Sequence, residues 1–185
     1  MKNTKWKTLK SKLLFTHPRK EIYEDEVELP SGHKTSYLHY GKGLDAGTVI
    51  AVRDNKVLLQ REYSYPPDEW LYQFPGGVIE PNESNEAGAL RELQEEARLT
   101  GTLTQIGWFY VDNRRTADKF YVFLATDVSE YLSAQLDAEE EIEDYWLSVT
   151  EVDKLIATGQ INNYSALAGW AFFTQTDEYK KLTRA

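Results

Sequence analysis

Residues 76–99 read GGVIEPNESNEAGALRELQEEARL, and the spacing inside that segment constrains the chain more tightly than its bulk composition. Gly77 is followed by Glu83, then by Arg91-Glu92, Leu93, Glu95, Glu96 and Leu99. Offsets of three and four residues put Glu92, Glu95 and Glu96 on one face of a helix. Leu90, Leu93 and Ala97 make a separate apolar stripe, so the helix can bury one side and show its acids on another. Three carboxylates on one face repel each other unless a multivalent cation sits among them. Arg91 is placed to offset that charge, toward Glu95 one turn on or back toward Glu83. Pro75-Gly76-Gly77 reads as a tight turn ahead of the helix, where glycine lets a backbone carbonyl approach an ion or a phosphate. The acidic trio alone is as often a solvated face; the glycine turn and the fixed spacing separate it from that.

The segment resembles the Nudix box, G-x5-E-x7-R-E-U-x-E-E-x-G-U with U apolar. Gly77, Glu83, Arg91, Glu92, Leu93, Glu95, Glu96 and Leu99 match it. Arg98 stands where the box has the glycine that ends the helix in a left-handed conformation. Gly101 is expected to take over the chain reversal. Upstream, VLLQREYSYPPDEWLYQFPGG (57–77) is similar to the stretch before the box in ADP-ribose and nucleoside-diphosphate-sugar pyrophosphatases, with Arg61, Tyr63, Trp70 and Leu71 fitting. Ser64 and Gln73 depart from that branch, which often has arginine and glutamate there. Downstream, residues 137–163 resemble the same branch, an acidic loop, a strand and a helix ending at glycine. Together these regions span roughly residues 45 to 175.

Carboxylates gathered by a strand, loop and helix offer hard oxygen ligands, which suit Mg²⁺ or Mn²⁺. The matching chemistry is hydrolysis of a phosphoanhydride. By resemblance, Glu92 and Glu96 are the strongest metal ligands, with Glu95 close behind and the Gly76 carbonyl beside them. Glu83 is expected to support the box together with Gly77, and Arg91 to orient the glutamates. The resemblance also places the group that orients the attacking water on the acidic loop 138–143, with Glu140 the first choice and Glu139 and Glu141 the alternatives. Arg61, Arg114 and Arg115 are candidate grips for phosphates. Tyr63, Trp70, Trp108 and Tyr110 are candidate stacking partners for a base, though each is more often a core residue.

Bulk properties narrow the partners. A length of 185 residues suits one ordinary domain with a small appendage, and 41% hydrophobic residues supply a core. A net charge of −9 disfavours nucleic acid and anionic membranes as partners. With no cysteine, disulfides, thiol catalysis and cysteine-ligated zinc are excluded. His17, His33 and His39 show no ligand spacing. The apolar core of the basic N-terminus is only Leu13-Leu14-Phe15, too short for a signal peptide, so a cytoplasmic location is expected. That basic end reads as flexible or loosely helical, with contact to a nucleotide or a partner subunit as the lesser alternative.

Along the chain, residues 24–30 and 34–40 flank Ser31-Gly32 as a hairpin, and Gly41, Gly43 and Gly47 then break the pattern. Residues 1–45 are therefore expected to form an N-terminal β extension, and 46–185 the Nudix domain. Strands are expected at 48–52, 57–60, 71–74, 101–111, 120–125 and 145–148, with helices after 83, at 152–158 and at 163–173. The fold class is α/β (α+β), a mixed sheet between helices. The function expected from the resemblance is an Mg²⁺-dependent pyrophosphatase that splits ADP-ribose or another nucleoside diphosphate sugar into a nucleoside monophosphate and a sugar phosphate. Dinucleoside polyphosphates, NADH or nucleoside triphosphates are the alternative substrates, and a non-catalytic nucleotide-sugar sensor is the alternative class. Members of the branch commonly form dimers in which the N-terminal strands reach the neighbour, so a homodimer is expected.

Overall fold

The computed structural model describes residues 4–41, 43–133 and 141–184. Two compact units divide the chain: Met1–Leu44 with Tyr110–Lys119, and Asp45–Phe109 with Phe120–Ala185.

The first unit is an antiparallel sheet in the order β1 (Lys7–His17), β2 (Lys20–Glu28), β3 (Lys34–Gly41). The β2–β3 hairpin closes where Gly32 donates its N–H to the Leu29 carbonyl. The basic N-terminus, expected to be flexible or loosely helical, is strand β1. Cross-strand charge explains the difference. Register sets Lys7 opposite Glu28, Lys10 opposite Glu26 and Lys12 opposite Glu24, and pairs of opposite sign favour an antiparallel ladder. The polar loop DNRRTADK belongs with these strands. The Arg115 carbonyl accepts from the Tyr40 N–H, the Tyr37 hydroxyl donates to the Arg114 carbonyl, and the Arg115 guanidinium donates to the Leu38 carbonyl.

The second unit is built on a seven-stranded mixed sheet. Its order is β10 (Ile142–Leu147), β5 (Lys56–Ser64), β4 (Ala46–Arg53), β9 (Lys119–Glu130), β8 (Leu99–Tyr110). Two short strands join it at the centre: β6 (Glu69–Gln73) pairs with β5, and β7 (Gly76–Val78) with β4. Strands β4 and β5 turn at Asp54-Asn55, both at positive φ (51° and 60°), the backbone of a two-residue hairpin loop. Strand β4 runs parallel to β9, from Ala46 opposite Phe120 to Ala51 opposite Ala125. It is buried without interruption from Gly47 to Ala51, as a strand covered on both faces must be.

Helices cover the two faces. On one, α1 (Asn85–Ala97) buries Ala89, Leu93 and Ala97 against Val49, Ala51, Leu58 and Phe123. On the other, α2 (Val149–Ala157), α3 (Tyr164–Phe173) and α4 (Asp177–Leu182) pack Val152, Trp170, Phe173 and Leu182 onto Ile50, Leu59, Val122 and Leu124. Phe123 and Phe173 are fully buried, each contributing about 1.5–3 kcal/mol of hydrophobic stabilisation. Helix α4 lies beyond the last expected element. It is six residues long and starts on Thr176, whose hydroxyl accepts from the Tyr179 N–H. Among the described residues, no helix is long and apolar enough to cross a membrane.

Candidate functional site

Helix α1 and the turn before it are held in place from both ends. At the N-terminus the Ser84 hydroxyl accepts from the Ala87 N–H, capping one of the donors a helix start leaves open. At the C-terminus Arg98 itself adopts the left-handed conformation (φ 53°, ψ 37°), and its N–H donates to the Leu93 carbonyl. This corrects the expectation that Gly101 would reverse the chain. Gly101 lies inside β8, where a Cβ would stand 2.7 Å from the Thr126 carbonyl oxygen, so its small size serves strand packing. The backbone accepts the left-handed residue at Arg98 because the cap hydrogen bond and the turn into β8 require it there.

The turn upstream of α1 is fastened residue by residue. Phe74 is buried and stacks on Trp170. The Thr48 hydroxyl lies within hydrogen-bond reach of the Phe74 and Pro75 carbonyls, at 3.3 and 3.0 Å, and Pro75 also accepts from the Val49 N–H. Gly76 has φ +154°, and a Cβ there would lie 2.2 Å from the Gly47 carbonyl oxygen, so only glycine fits. Its N–H donates to Glu96 at 2.8 Å. The strand and the helix are thus joined at the residue expected to present its carbonyl to a metal.

Arg91 is the hub of the acidic cluster. Its Nε donates to Glu83 at 3.0 Å, its Nη1 to Glu92 and Glu95 at 2.9 Å each, and its Nη2 to the Val78 carbonyl at 3.0 Å. One guanidinium therefore reaches three carboxylates and the backbone of β7, the forked recognition that a lysine could not supply. Both alternatives open from the sequence, Glu95 and Glu83, are realised together. Glu83 also accepts from the Glu80 N–H at 3.0 Å, tying the loop before α1 to the hub. Hydrogen bonds from Arg91 and then that N–H hold the Glu83 carboxyl below the ordinary range. Burial pushes Glu92 up, opposed by Arg91 and reinforced by the negative charges of Glu95 and Glu83. A half-buried carboxylate among like charges is one that a further cation stabilises.

The donor set fits a hard divalent ion. Glu92, Glu95, Glu96 and the Gly76 carbonyl offer oxygen only, the chemistry that suits Mg²⁺ and Mn²⁺. The chain has no cysteine, and its three histidines all precede residue 40.

Other expected residues fall elsewhere. Arg61 lies on the sheet face opposite α1: its neighbour Leu59 packs with α2 and α3, whereas Leu58 packs with α1. There Arg61 sits over the Trp70 and Tyr72 rings, at 5.5 and 5.9 Å, and 3.9 Å from Glu143. Tyr63 is on the same face, its hydroxyl donating to Asp68 at 2.7 Å. The structure does not bring these two to the carboxylates. Arg114 and Arg115 belong to the first unit, where with Tyr37, His39, Tyr40 and Asn113 they line a cleft of about 260 Å³. Glu139 and Glu140 lie outside the described residues, and Glu141 is exposed. The sequence reading missed Thr48. Its only signal was a threonine leading an apolar strand.

Comparison with known proteins finds relatives over most of the chain. A family model for the Nudix domain matches residues 42–168. An ADP-ribose pyrophosphatase of Bacillus subtilis (strain 168) is 30% identical over 174 residues, covering 92% of each chain. A methanol dehydrogenase activator of Bacillus methanolicus is 29% identical over 160 residues, 84% of this chain and 85% of that one. The crystal structure of an ADP compounds hydrolase superposes with a TM-score of 0.86 over 98% of both chains at 19% identity, which is a likeness of fold. With Arg91, Glu92, Leu93, Glu95 and Glu96 of the box on α1 and most of its length matched, the chain belongs to the Nudix hydrolase family.

Proposed function

We propose that the chain is a divalent-metal-dependent pyrophosphatase that hydrolyses ADP-ribose or a related nucleoside diphosphate sugar to a nucleoside monophosphate and a sugar phosphate. The observation that carries this reading is the approach of α1 to the glycine turn: Glu96 accepts from the Gly76 N–H, Glu92 packs against Gly77, and Arg91 ties Glu92 to Glu95. The full-length similarity to an ADP-ribose pyrophosphatase supports the substrate class.

In this reading Glu92, Glu95, Glu96 and the Gly76 carbonyl hold Mg²⁺ or Mn²⁺. When bound, such ions neutralise a diphosphate, lower the pKa of an attacking water and take up charge on the leaving phosphate. Arg91 aims Glu92 and Glu95 through its two hydrogen bonds, and Glu83 anchors Arg91 from behind. Glu140, with Glu139 and Glu141 as alternatives, orients the water. Within the first unit, the cleft of Arg114 and Arg115 offers cations suited to phosphate and tyrosine rings suited to a base. Leu13, Leu14 and Phe15 on β1 are each about half exposed, which supports a homodimer formed through the N-terminal strands, each helping to build the neighbour's nucleotide pocket. A cytoplasmic enzyme with no nucleic-acid or membrane partner fits the charge of −9.

The test is a hydrolysis panel with Mg²⁺ and with Mn²⁺, run beside Glu96→Gln. ADP-ribose and nucleotide sugars should release a nucleoside monophosphate fastest, ahead of NADH, dinucleoside polyphosphates and nucleoside triphosphates. Losing several kcal/mol of charge stabilisation should cost Glu96→Gln on the order of 100-fold or more in kcat while substrate still binds. Wild-type turnover in that variant refutes the assignment. Tight binding without turnover in the unmodified protein would mark a sensor.

A further inference from the structure

The sheet face beneath α1 carries a polar pair that the carboxylate site leaves unexplained. Leu58 packs with Leu93 and Ala97 of α1, so alternation along β5 turns Gln60 and Glu62 to the same face. Register between β5 and β6 sets Gln73 opposite Gln60 and Leu71 opposite Glu62, which turns Gln73 to that face as well. There the Gln73 carboxamide donates a short hydrogen bond to the Glu62 carboxylate. Both residues are half-buried, and among the described residues Glu62 has no lysine, arginine or histidine within ion-pair distance.

Gln73 is the last residue of β6, and three residues later the chain reaches Gly76. Each residue of that step is fastened: Phe74 by Trp170, Pro75 by Thr48 and Val49, and Gly76 itself by Glu96. Gln73 is the first fastening point of that series, and its side-chain partner is Glu62. A charged acceptor makes this bond stronger than one between neutral groups. We infer that Glu62 is a positioning residue for the metal site: by holding Gln73 it fixes the backbone that presents Gly76 to the carboxylates of α1. The inference rests on the metal reading given above. Glu62 acts through Gln73 and through the backbone, with no contact to the substrate.

The test measures Mn²⁺ binding to metal-stripped protein by electron paramagnetic resonance, with thermal melts as a control for folding. Four variants are compared with wild type: Glu62→Ala, Gln73→Glu, the double variant Glu62→Gln with Gln73→Glu, and Glu96→Gln. Glu62→Ala frees the carboxamide, and Gln73→Glu sets two carboxylates against each other. Each should weaken Mn²⁺ binding roughly 10- to 100-fold, the usual effect of losing a residue that orients a metal ligand. The double variant restores a carboxylate–carboxamide pair with donor and acceptor exchanged, and should recover most of the affinity. In kinetic assays, excess Mn²⁺ should rescue kcat in Glu62→Ala. If the single variants bind Mn²⁺ like wild type, or the exchanged pair is no better than Gln73→Glu alone, the positioning role is wrong. If Glu96→Gln also binds like wild type, the metal reading of α1 falls, and the inference with it.

Discussion

Gly77 and Glu92 are packed so closely that no side chain fits between them: a Cβ on Gly77 would lie 2.7 Å from the Glu92 Oε1. Real Cβ contacts do not approach that distance, so Gly77→Ala must displace the carboxylate or the turn. Arg91 also holds that oxygen, at 2.9 Å, and moving it disturbs the hub. The expected outcome is a folded protein, destabilised by about 1–3 kcal/mol as in other overpacked sites, with Mg²⁺ affinity reduced more than roughly tenfold. Calorimetric titration of Mg²⁺ into the purified variant checks it; unchanged affinity would show that Glu92 moves freely and takes no part.

Arg91 compensates three carboxylates at once, so its removal should be felt before any substrate is added. Arg91→Met keeps much of the aliphatic stem and deletes the charge. Leaving the half-buried Glu92 without its donor should lower stability, read by denaturant titration in chelator. Divalent ions supply the missing positive charge, so Mg²⁺ should raise the melting temperature of the variant by more than it raises wild type. Equal shifts would mean that the ions bind away from Arg91.

Much of this site was legible because its determinants are local. Glu92, Glu95 and Glu96 share a helix with Arg91, and a helix fixes which offsets meet. The β2–β3 hairpin was readable for the same reason, since Ser31-Gly32 marks its turn. What escaped depends on partners distant in sequence. Strand β1 carries a basic, weakly patterned run that becomes a strand only because β2 is acidic in register with it. Thr48 meets Pro75 across 27 residues, and nothing near either predicts the bond. The face that carries Arg61 was not legible either, because a strand residue's face is decided by what covers each side, here α1 on one and α2 and α3 on the other.

Arg98 shows where a local rule was obeyed by the backbone and broken by the residue. A non-glycine residue at φ 53° is strained by about 1–2 kcal/mol. Arg98→Gly relieves that strain but adds conformational entropy to the unfolded chain, worth about 0.5–1 kcal/mol in the other direction. The net expectation is a variant more stable by about 0.5–1 kcal/mol, seen as a higher denaturant midpoint at unchanged slope. Destabilisation would instead indicate that the Arg98 side chain makes a favourable contribution in the cleft it shares with Arg53, Glu130, Asp144 and Trp146.

Helix α2 offers a pH-dependent prediction away from the site. Glu151 accepts from the Ser148 N–H and from its hydroxyl, each at 2.8 Å, while the Ser148 hydroxyl accepts from the Glu151 N–H. The backbone N–H first, and then the hydroxyl, hold the Glu151 carboxyl below the ordinary range. A carboxyl depressed in the folded state contributes stability that is fully present above its unfolded pKa, near 4.3 for glutamate. That contribution is lost as pH falls through the folded value. Ser148→Ala should cost about 1 kcal/mol at neutral pH, the usual effect of losing an N-cap. The gap between variant and wild type should narrow as the pH falls through the folded value, because protonation removes the carboxylate that accepts from the Ser148 hydroxyl. Denaturant melts of the two proteins across that range decide the matter. A gap that stays constant with pH would mean that Glu151 is not coupled to the cap.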